Sequence, residues 1–259
     1  MIRRRLPRRL QHGEEAALVD HLGELRARLL IVGLAVGAAF AFTFAFHAEL
    51  IELLTRPLPE GRRLVTFGVT EPFFTAIKVS LAAAVAVALP VLLHQLWSFL
   101  APAVHENSQR VVTRLALLST VLFAGGLAFA YVVVLPRALG FLTQFDAELY
   151  DVQIRAAYYY SFVVLALLGM ALVFQLPVFI LGLVRLRVVD SAQLRRNRRI
   201  AMFLMVVVAV ALPTVDPVSL VLETVPMLLL FELSIWLAVL MERRMDAAEA
   251  ATWPVGEAH

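Results

Sequence analysis

Long apolar stretches with few charges, separated by short polar segments, dominate the chain and predict membrane-spanning helices. The six stretches are Leu29–Phe46, Val79–Leu100, Leu115–Leu135, Tyr158–Val184, Ile200–Leu212 and Val218–Met241. A helix needs about 20 residues to cross roughly 30 Å of hydrocarbon, and four stretches come close to or exceed that length. The fifth reaches only about 20 Å, so it needs either an added turn from Arg198–Arg199 or a thinner bilayer beside it. The pattern predicts an all-α, polytopic bundle of six transmembrane helices with no soluble domain.

A nine-residue polar segment, HLGELRARL at 21–29, leads without a turn signal into the first apolar stretch. On a helix, its leucines share one face while His21, Glu24 and Arg28 share another. We therefore expect this segment at a membrane surface, with its charged face available to a polar ligand.

Composition and charge set the class and the orientation. The chain is 61% hydrophobic and 17% charged, too apolar for a soluble fold of 259 residues. Of its 23 Lys and Arg residues, 17 precede the first span, follow the last, or lie in loops on that same side. Since positive residues favour the cytoplasmic side, six spans place both termini in the cytoplasm. The absence of Cys excludes disulfides, thiol catalysis and zinc–thiolate sites.

Three regions follow from this pattern: a basic cytoplasmic tail at 1–17, a membrane domain at 18–242 and a cytoplasmic tail at 243–259. The arginine-rich start fits an anchor to anionic lipid better than a nucleic-acid patch. The first apolar run is longer than a signal-peptide core and five more spans follow, so it is expected to be retained.

Prolines and aromatic residues indicate where helices start and bend. The loop 47–78 contains Pro57 and Pro72, and the second span is expected to begin at or after Pro72. Pro90 should kink that span. Asp216, between two prolines, can cap the last helix. Gln95, Trp97 and Phe99 approach the cytoplasmic interface, where one interpretation is an aromatic belt with Gln95 hydrogen-bonded to a neighbouring helix.

Together these motifs resemble the TatC family, the multispanning subunit of the twin-arginine protein translocase. The resemblance covers about residues 18 to 242. It rests on HLGELRARL at 21–29, TEPF at 70–73, the run from Pro90 through Gln95, Trp97 and Phe99 to Pro102, Phe129, Tyr131 and Pro136, FQLP at 174–177, Asp216-Pro217 and Pro226-Met227 with Phe231-Glu232.

The resemblance implies a cup-like bundle in the prokaryotic inner membrane. Its partners would be folded precursor proteins with twin-arginine signal peptides, TatA/TatB-like single-span proteins and membrane lipids, in a multimeric complex driven by the proton-motive force. It implies no catalytic residue, cofactor, metal or nucleic acid.

The resemblance also assigns roles to polar residues near the first loop. The two arginines of a twin-arginine signal peptide are expected to bind carboxylates, which accept paired hydrogen bonds from guanidinium groups. Glu24 matches the family's signal-binding glutamate, and Arg26 and His21 are expected to orient it. The alternative for Glu24 is a simple surface pair with Arg28. The family's second acceptor, a Glu after Pro102, is Ser108 here. Glu106 lies two residues earlier and Arg110 two residues later, so either Glu106 compensates or recognition is weaker.

Other polar residues lie within the spans. Gln175 stands where the family often has Glu, so it can hydrogen-bond but cannot titrate. Glu232 matches the family's Phe-Glu, and is expected to face the bundle interior or a polar cavity. Glu223 either contributes to a docking face for a single-span partner or is an interface carboxylate.

Two other functions remain open. A small-solute or ion transporter would need intramembrane charges that converge at mid-depth, whereas those of this chain are scattered. A divergent accessory or structural paralogue would explain the two missing family carboxylates. The chain has neither a protease nor an ATPase motif.

Overall fold

The computed structural model describes residues 12–59, 61–100, 108–145, 148–149, 153–211 and 217–252, and these residues are mostly helical. The α-helices are α1 (His12–Ala45), α2 (His47–Thr55), α3 (Glu71–Leu100), α4 (Ser108–Phe129), α5 (Leu135–Gln144), α6 (Ala156–Val173), α7 (Leu176–Arg185), α8 (Ser191–Arg196), α9 (Arg198–Ala211) and α10 (Pro217–Thr252). A π-helical segment, Ala130–Val134, joins α4 to α5, and two short strands are β1 (Leu64–Val65) and β2 (Ile154–Arg155).

The predicted spans all correspond to helices. In the described residues five stretches are long and apolar enough to cross a membrane: Gly23–Ala45, Glu71–Phe99, Val112–Gln144, Ala156–Arg185 and Pro217–Ala247. The remaining predicted span is α9, which has 14 residues and therefore reaches about 21 Å. Helix α9 begins at Arg198 and therefore includes the arginine pair, but its length stays below the roughly 30 Å of hydrocarbon. The thinner bilayer beside it stays a prediction.

Three boundaries differ from the sequence prediction. The loop 47–78 contains a helix, α2, that the prediction missed. The third span continues through α5 to Gln144, nine residues beyond its predicted end at Leu135. Helix α3 begins at Glu71, one residue before Pro72, because a proline is tolerated in the first turn, where its missing N–H has no helical partner.

Prolines explain two interruptions of the spans. Pro136 cannot donate a helical hydrogen bond and its ring crowds the preceding turn, and the π-helical segment lies directly before it. Pro177 acts in the same way on the fourth span, where α6 ends and α7 restarts after Phe174 and Gln175. Pro90 lies inside α3, which continues as a helix through it.

Helix α3 is central to the packing. It packs against α1, α4 and α6, while α10 packs against α7 and α9. The contact with α1 includes a buried polar pair, in which Thr43 Oγ1 donates to the Ser80 carbonyl at 2.8 Å. The contact between α4 and α6 is so close that a Cβ on Gly126 would lie 2.7 Å from the Ala171 Cα.

The two ends of the bundle differ. At one end, called here the strand end, β1 pairs in parallel with β2, which ties the segment before α3 to the segment before α6. At the opposite end, called here the Arg28 end, lie the start of α1 and the last turns of α3. The candidate functional side chains lie at the Arg28 end, at the strand end and within the membrane spans between them.

Candidate functional site

An arginine of α1 links the predicted recognition residue to α3. Arg28 Nε donates to Glu24 Oε1 at 3.0 Å, one helical turn away. The other arm of the guanidinium reaches α3, where Nη1 donates to Gln95 Oε1 at 2.9 Å and Nη2 to the Ser98 carbonyl at 3.3 Å. The fork of Arg28 thus fixes both the Glu24 carboxylate and the register of α1 on α3.

The Glu24 side chain is accessible from outside the bundle. It is 37% exposed, against 22% for Arg28. The two bonds from Arg28, through Nε and Nη2, both go to Oε1. A ligand can therefore approach the carboxylate that Arg28 holds in place.

The other predicted recognition residues lie on the same helix or around the next loop. Arg26 is exposed on α1, and His21 also lies in α1. Ser108 is the first residue of α4 and Arg110 is in its first turn, so both follow the loop after α3. Glu106 lies outside the described residues. Sequence reasoning gave Arg28 only a pairing role and did not foresee its bonds to α3.

Trp97 corrects the aromatic-belt interpretation. The side chain is only 7% exposed, so it is a core residue rather than an interfacial one. Its Nε1 donates to Ser119 Oγ at 3.2 Å, on α4. A Cβ on Gly182 of α7 would lie 2.3 Å from Trp97 Cη2, so only glycine lets the indole pack there. Gln95, in contrast, does bond a neighbouring helix, through Arg28.

Gln175 lies at the break between α6 and α7. Its Nε2 donates to the Ser119 carbonyl at 3.0 Å, on the residue whose hydroxyl accepts from Trp97. Its Oε1 is buried and accepts no hydrogen bond from the described residues. The helix break thus directs a polar, non-titratable side chain into the contact with α4.

The acidic residues of α10 have different surroundings. Glu232 forms an interhelical ion pair with Arg198 of α9 (Oε1 to Nε, 2.6 Å), and its side chain is 36% exposed while Oε1 itself is buried. Its predicted position towards the bundle interior or a polar cavity stays a prediction. Glu223 is 1% exposed and lies on the inward face of α10. Its role in docking stays a prediction. Asp216 lies outside the described residues.

A second carboxylate–arginine pair, which sequence reasoning missed, lies at the strand end. Arg155 Nε lies 3.1 Å from both oxygens of Glu71. The Phe67 and Ala157 backbone N–H groups also donate to this carboxylate, each at 3.1 Å. The Arg155 guanidinium lies 5.2 Å from the centroid of the Tyr158 ring. TEPF contains Glu71, but only a partner distant in the chain reveals its role.

The remaining predicted structural residues occupy turns and contacts. Tyr131, in the π-helical segment, donates its hydroxyl to the Leu53 carbonyl of α2 at 2.8 Å. Pro57 lies in the turn after α2, and Phe99 lies in the last turn of α3. The described residues contain no group of three His, Cys, Asp or Glu side chains suited to a metal ion.

Comparison with known proteins identifies one family over most of the chain. The profile of TatC, described as Sec-independent protein translocase protein (TatC), matches residues 20–226. The Sec-independent protein translocase protein TatC of Escherichia coli K12 is 35% identical over 223 residues, covering 85% of this chain and 86% of that protein. The TatC of Desulforapulum autotrophicum is 31% identical over 240 residues, covering 91% and 89%.

Solved structures give the same result. A crystal structure described as twin arginine translocase receptor TatC in DDM superposes with a TM-score of 0.76 at 34% identity. The alignment covers 84% of this chain and 99% of that one.

Proposed function

The chain belongs to the TatC family of Sec-independent protein translocase proteins, and from this premise we propose that it is the multispanning core of a twin-arginine translocase. In this role it receives the signal peptides of folded proteins and provides an assembly platform for single-span partner subunits. The proposal adds no enzymatic step, because the work of the molecule is binding and assembly.

One observation carries the receptor role: the half-exposed Glu24 carboxylate is held in place by Arg28, which is itself bonded to α3. A fixed carboxylate binds a guanidinium with less loss of side-chain entropy than a mobile one. Planar, paired hydrogen bonds also favour Arg over Lys, which matches a signal defined by two arginines.

The proposed function also implies how the chain is oriented in the membrane and in which membrane it lies. Positive residues concentrate on the loops at the Arg28 end, so we place that end and both termini in the cytoplasm of a prokaryotic cell. The strand end then faces outward across the inner membrane. In this orientation Glu24 meets precursors before they cross.

Two intramembrane residues, Gln175 and Glu223, are the candidates for contact with a single-span partner subunit. Gln175 presents a buried Oε1 at a helix break, a group that a polar side chain of a single-span partner could satisfy. Glu223 is buried within the bundle, so docking there would require α10 to shift relative to its neighbours. Because Gln175 cannot titrate, any coupling to the proton-motive force must use another group.

Site-specific photocrosslinking tests the receptor role. A photoreactive residue replaces Ala27, an exposed residue one helical turn from Glu24, so that the carboxylate itself is kept. This variant is combined with a precursor that carries an Arg-Arg signal, or with its Lys-Lys variant. Crosslinking at position 27 should fall about tenfold from the Arg-Arg to the Lys-Lys signal, as expected when a bidentate pair is lost.

A photoreactive residue at position 107, beside Glu106, decides whether Glu106 compensates for Ser108. Crosslinks that depend on the Arg-Arg signal at both positions would assign two acceptors, and such a crosslink at position 27 alone would assign one. A photoreactive residue at exposed Leu34, on the lipid-facing part of α1, is the matched control. Equal crosslinking with both signals at positions 27 and 107 would overturn the receptor role and favour an accessory paralogue.

A further inference from the structure

An apolar cavity of about 380 Å³ lies between α2, α3, α4, the π-helical segment and α6, towards the strand end. It is lined by Leu50, Leu53 and Leu54 of α2, Val79, Ala82, Ala83 and Ala86 of α3, Leu127, Ala128 and Tyr131, and Val164, Leu167 and Leu168 of α6. Small side chains on α3 create the space, because three of its four lining residues are alanine. Leu53 is 41% exposed, so the cavity opens to the surrounding membrane beside α2.

The chain's single lysine lies above this cavity. Lys78 comes one and two helical turns before Ala82 and Ala86, and its Nζ donates to Ser161 Oγ at 2.8 Å. Ser161 in turn comes one turn before Val164 on α6. The ammonium therefore lies where α3 and α6 meet, at the strand-end limit of the cavity wall.

The charge of Lys78 has no carboxylate partner within ion-pair distance among the described residues. An ammonium has three donors, and Ser161 accepts from one of them. Lys78 is about 10 Å along α3 from Glu71, a depth near the membrane interface, where lysine side chains meet lipid headgroups.

We propose that this cavity binds an acyl chain of one anionic phospholipid from the leaflet at the strand end, with the lipid phosphate on Lys78. The lining is almost entirely carbon, so a polar solute would lose its hydration without compensation. The wall on α3 runs about 10 Å from Val79 to Ala86, so it holds the part of an acyl chain nearest the headgroup. The charge of Lys78 selects the headgroup.

Bound lipid is the direct readout. The full chain is reconstituted in phosphatidylcholine vesicles that contain phosphatidylglycerol, extracted in mild detergent, and its retained lipids are measured by native mass spectrometry. Wild type should retain phosphatidylglycerol over phosphatidylcholine about fivefold, and Lys78→Gln should abolish the preference while Lys78→Arg keeps it. Ala86→Leu, which fills the cavity, should lower retention of both lipids.

A matched charge control distinguishes a specific lipid site at Lys78 from general attraction of anionic lipids to positive side chains. Arg137→Gln removes another exposed cation at the strand end, so lipid preference should not change. Within the described part of the chain, its guanidinium donates to the Val133 carbonyl of its own helical run. Amine-selective labelling adds a second readout, because Lys78 carries the chain's only side-chain amine. Phosphatidylglycerol should slow that labelling relative to phosphatidylcholine.

Three results would overturn the proposal: no preference in wild type, an unchanged preference in Lys78→Gln, or equal losses in Lys78→Gln and Arg137→Gln. Occupation of the cavity by the apolar segment of a signal peptide, seen as lipid displacement at equimolar peptide, would also overturn it. None of these measurements needs a precursor, so their failure is distinct from failure of the receptor role.

Discussion

Two of the carboxylate–arginine pairs among the described residues lie at opposite ends of the bundle, and they are built differently. The side chain of Glu71 is 6% exposed and binds Arg155 through both oxygens, together with two backbone N–H groups. Glu24 is 37% exposed and receives Arg28 through one oxygen. The first pair joins segments 84 residues apart, whereas the second lies within one helical turn.

This difference separates a structural carboxylate from a binding carboxylate. The hydrogen-bonding capacity of Glu71 is used by groups of its own chain, so any substitution strands buried donors. The side chain of Glu24 is 37% exposed beside Arg28, so a ligand can reach it and solvent screens the pair. Loss of Glu71 should therefore reduce stability, while loss of Glu24 should reduce ligand binding.

The largest expected effect comes from Glu71→Gln. This change removes the charge that holds Arg155 and weakens the bonds from the Phe67 and Ala157 N–H groups, so the strand end should loosen. We expect the Tm in detergent to fall by about 5 °C or more. The matched control is Glu52→Gln, since Glu52 pairs with Arg56 at 3.6 Å on an exposed face, and its Tm should not change. Equal Tm values for the two variants would contradict the structural role of Glu71.

The second effect, on binding alone, comes from Glu24→Gln. The amide keeps one acceptor oxygen but loses the charge, so crosslinking of an Arg-Arg precursor to the loop after α3 should fall about tenfold. The Tm should stay within about 2 °C of wild type, because the lost contact is a part-exposed pair. A large Tm decrease with unchanged crosslinking would reverse the two roles.

A smaller effect should follow from Arg28→Lys. A lysine keeps the charge but cannot reach Glu24, Gln95 and the Ser98 carbonyl at once, so the carboxylate becomes mobile. We expect about a threefold loss of Arg-Arg crosslinking, with part of the preference over Lys-Lys retained. Arg56→Lys, at an exposed arginine that also pairs with a glutamate one helical turn away, is the matched control. Equal losses in the two variants would show that Arg28 does not position Glu24.

The course of the main chain was largely readable from the sequence, because each predicted span is a long apolar run without alternatives. The missed helix α2 has only nine residues and lies among prolines, where local pattern is weak. Trp97 was placed at the membrane surface because tryptophan is common there. Its burial depends on Gly182, 85 positions later, which no local pattern connects to it.

The two arginine pairs show the same limit. Glu24 and Arg28 are four residues apart, so helical spacing alone brings them together. The bond from Arg28 to Gln95 and the pair of Glu71 with Arg155 depend on how distant helices pack. A single sequence contains both residues of such a pair but not the contact.

The smallest effect, and the one that extends the comparison, is expected from Ser108→Glu. This substitution introduces a carboxylate at the position where the family resemblance predicts one, in the first turn of α4, where a negative charge also favours the helix N-terminus. If Glu24 binds one arginine of the signal and the loop after α3 supplies a weak second acceptor, the new carboxylate should raise Arg-Arg crosslinking about twofold and leave Lys-Lys crosslinking unchanged. Ser108→Gln is the matched control, because glutamine has the shape of glutamate without its charge. If the gain in Arg-Arg crosslinking persists when Glu24→Gln is also present, the loop binds the signal independently of Glu24. If there is no gain with either Glu24 or Gln at position 24, Glu106 already supplies the second carboxylate.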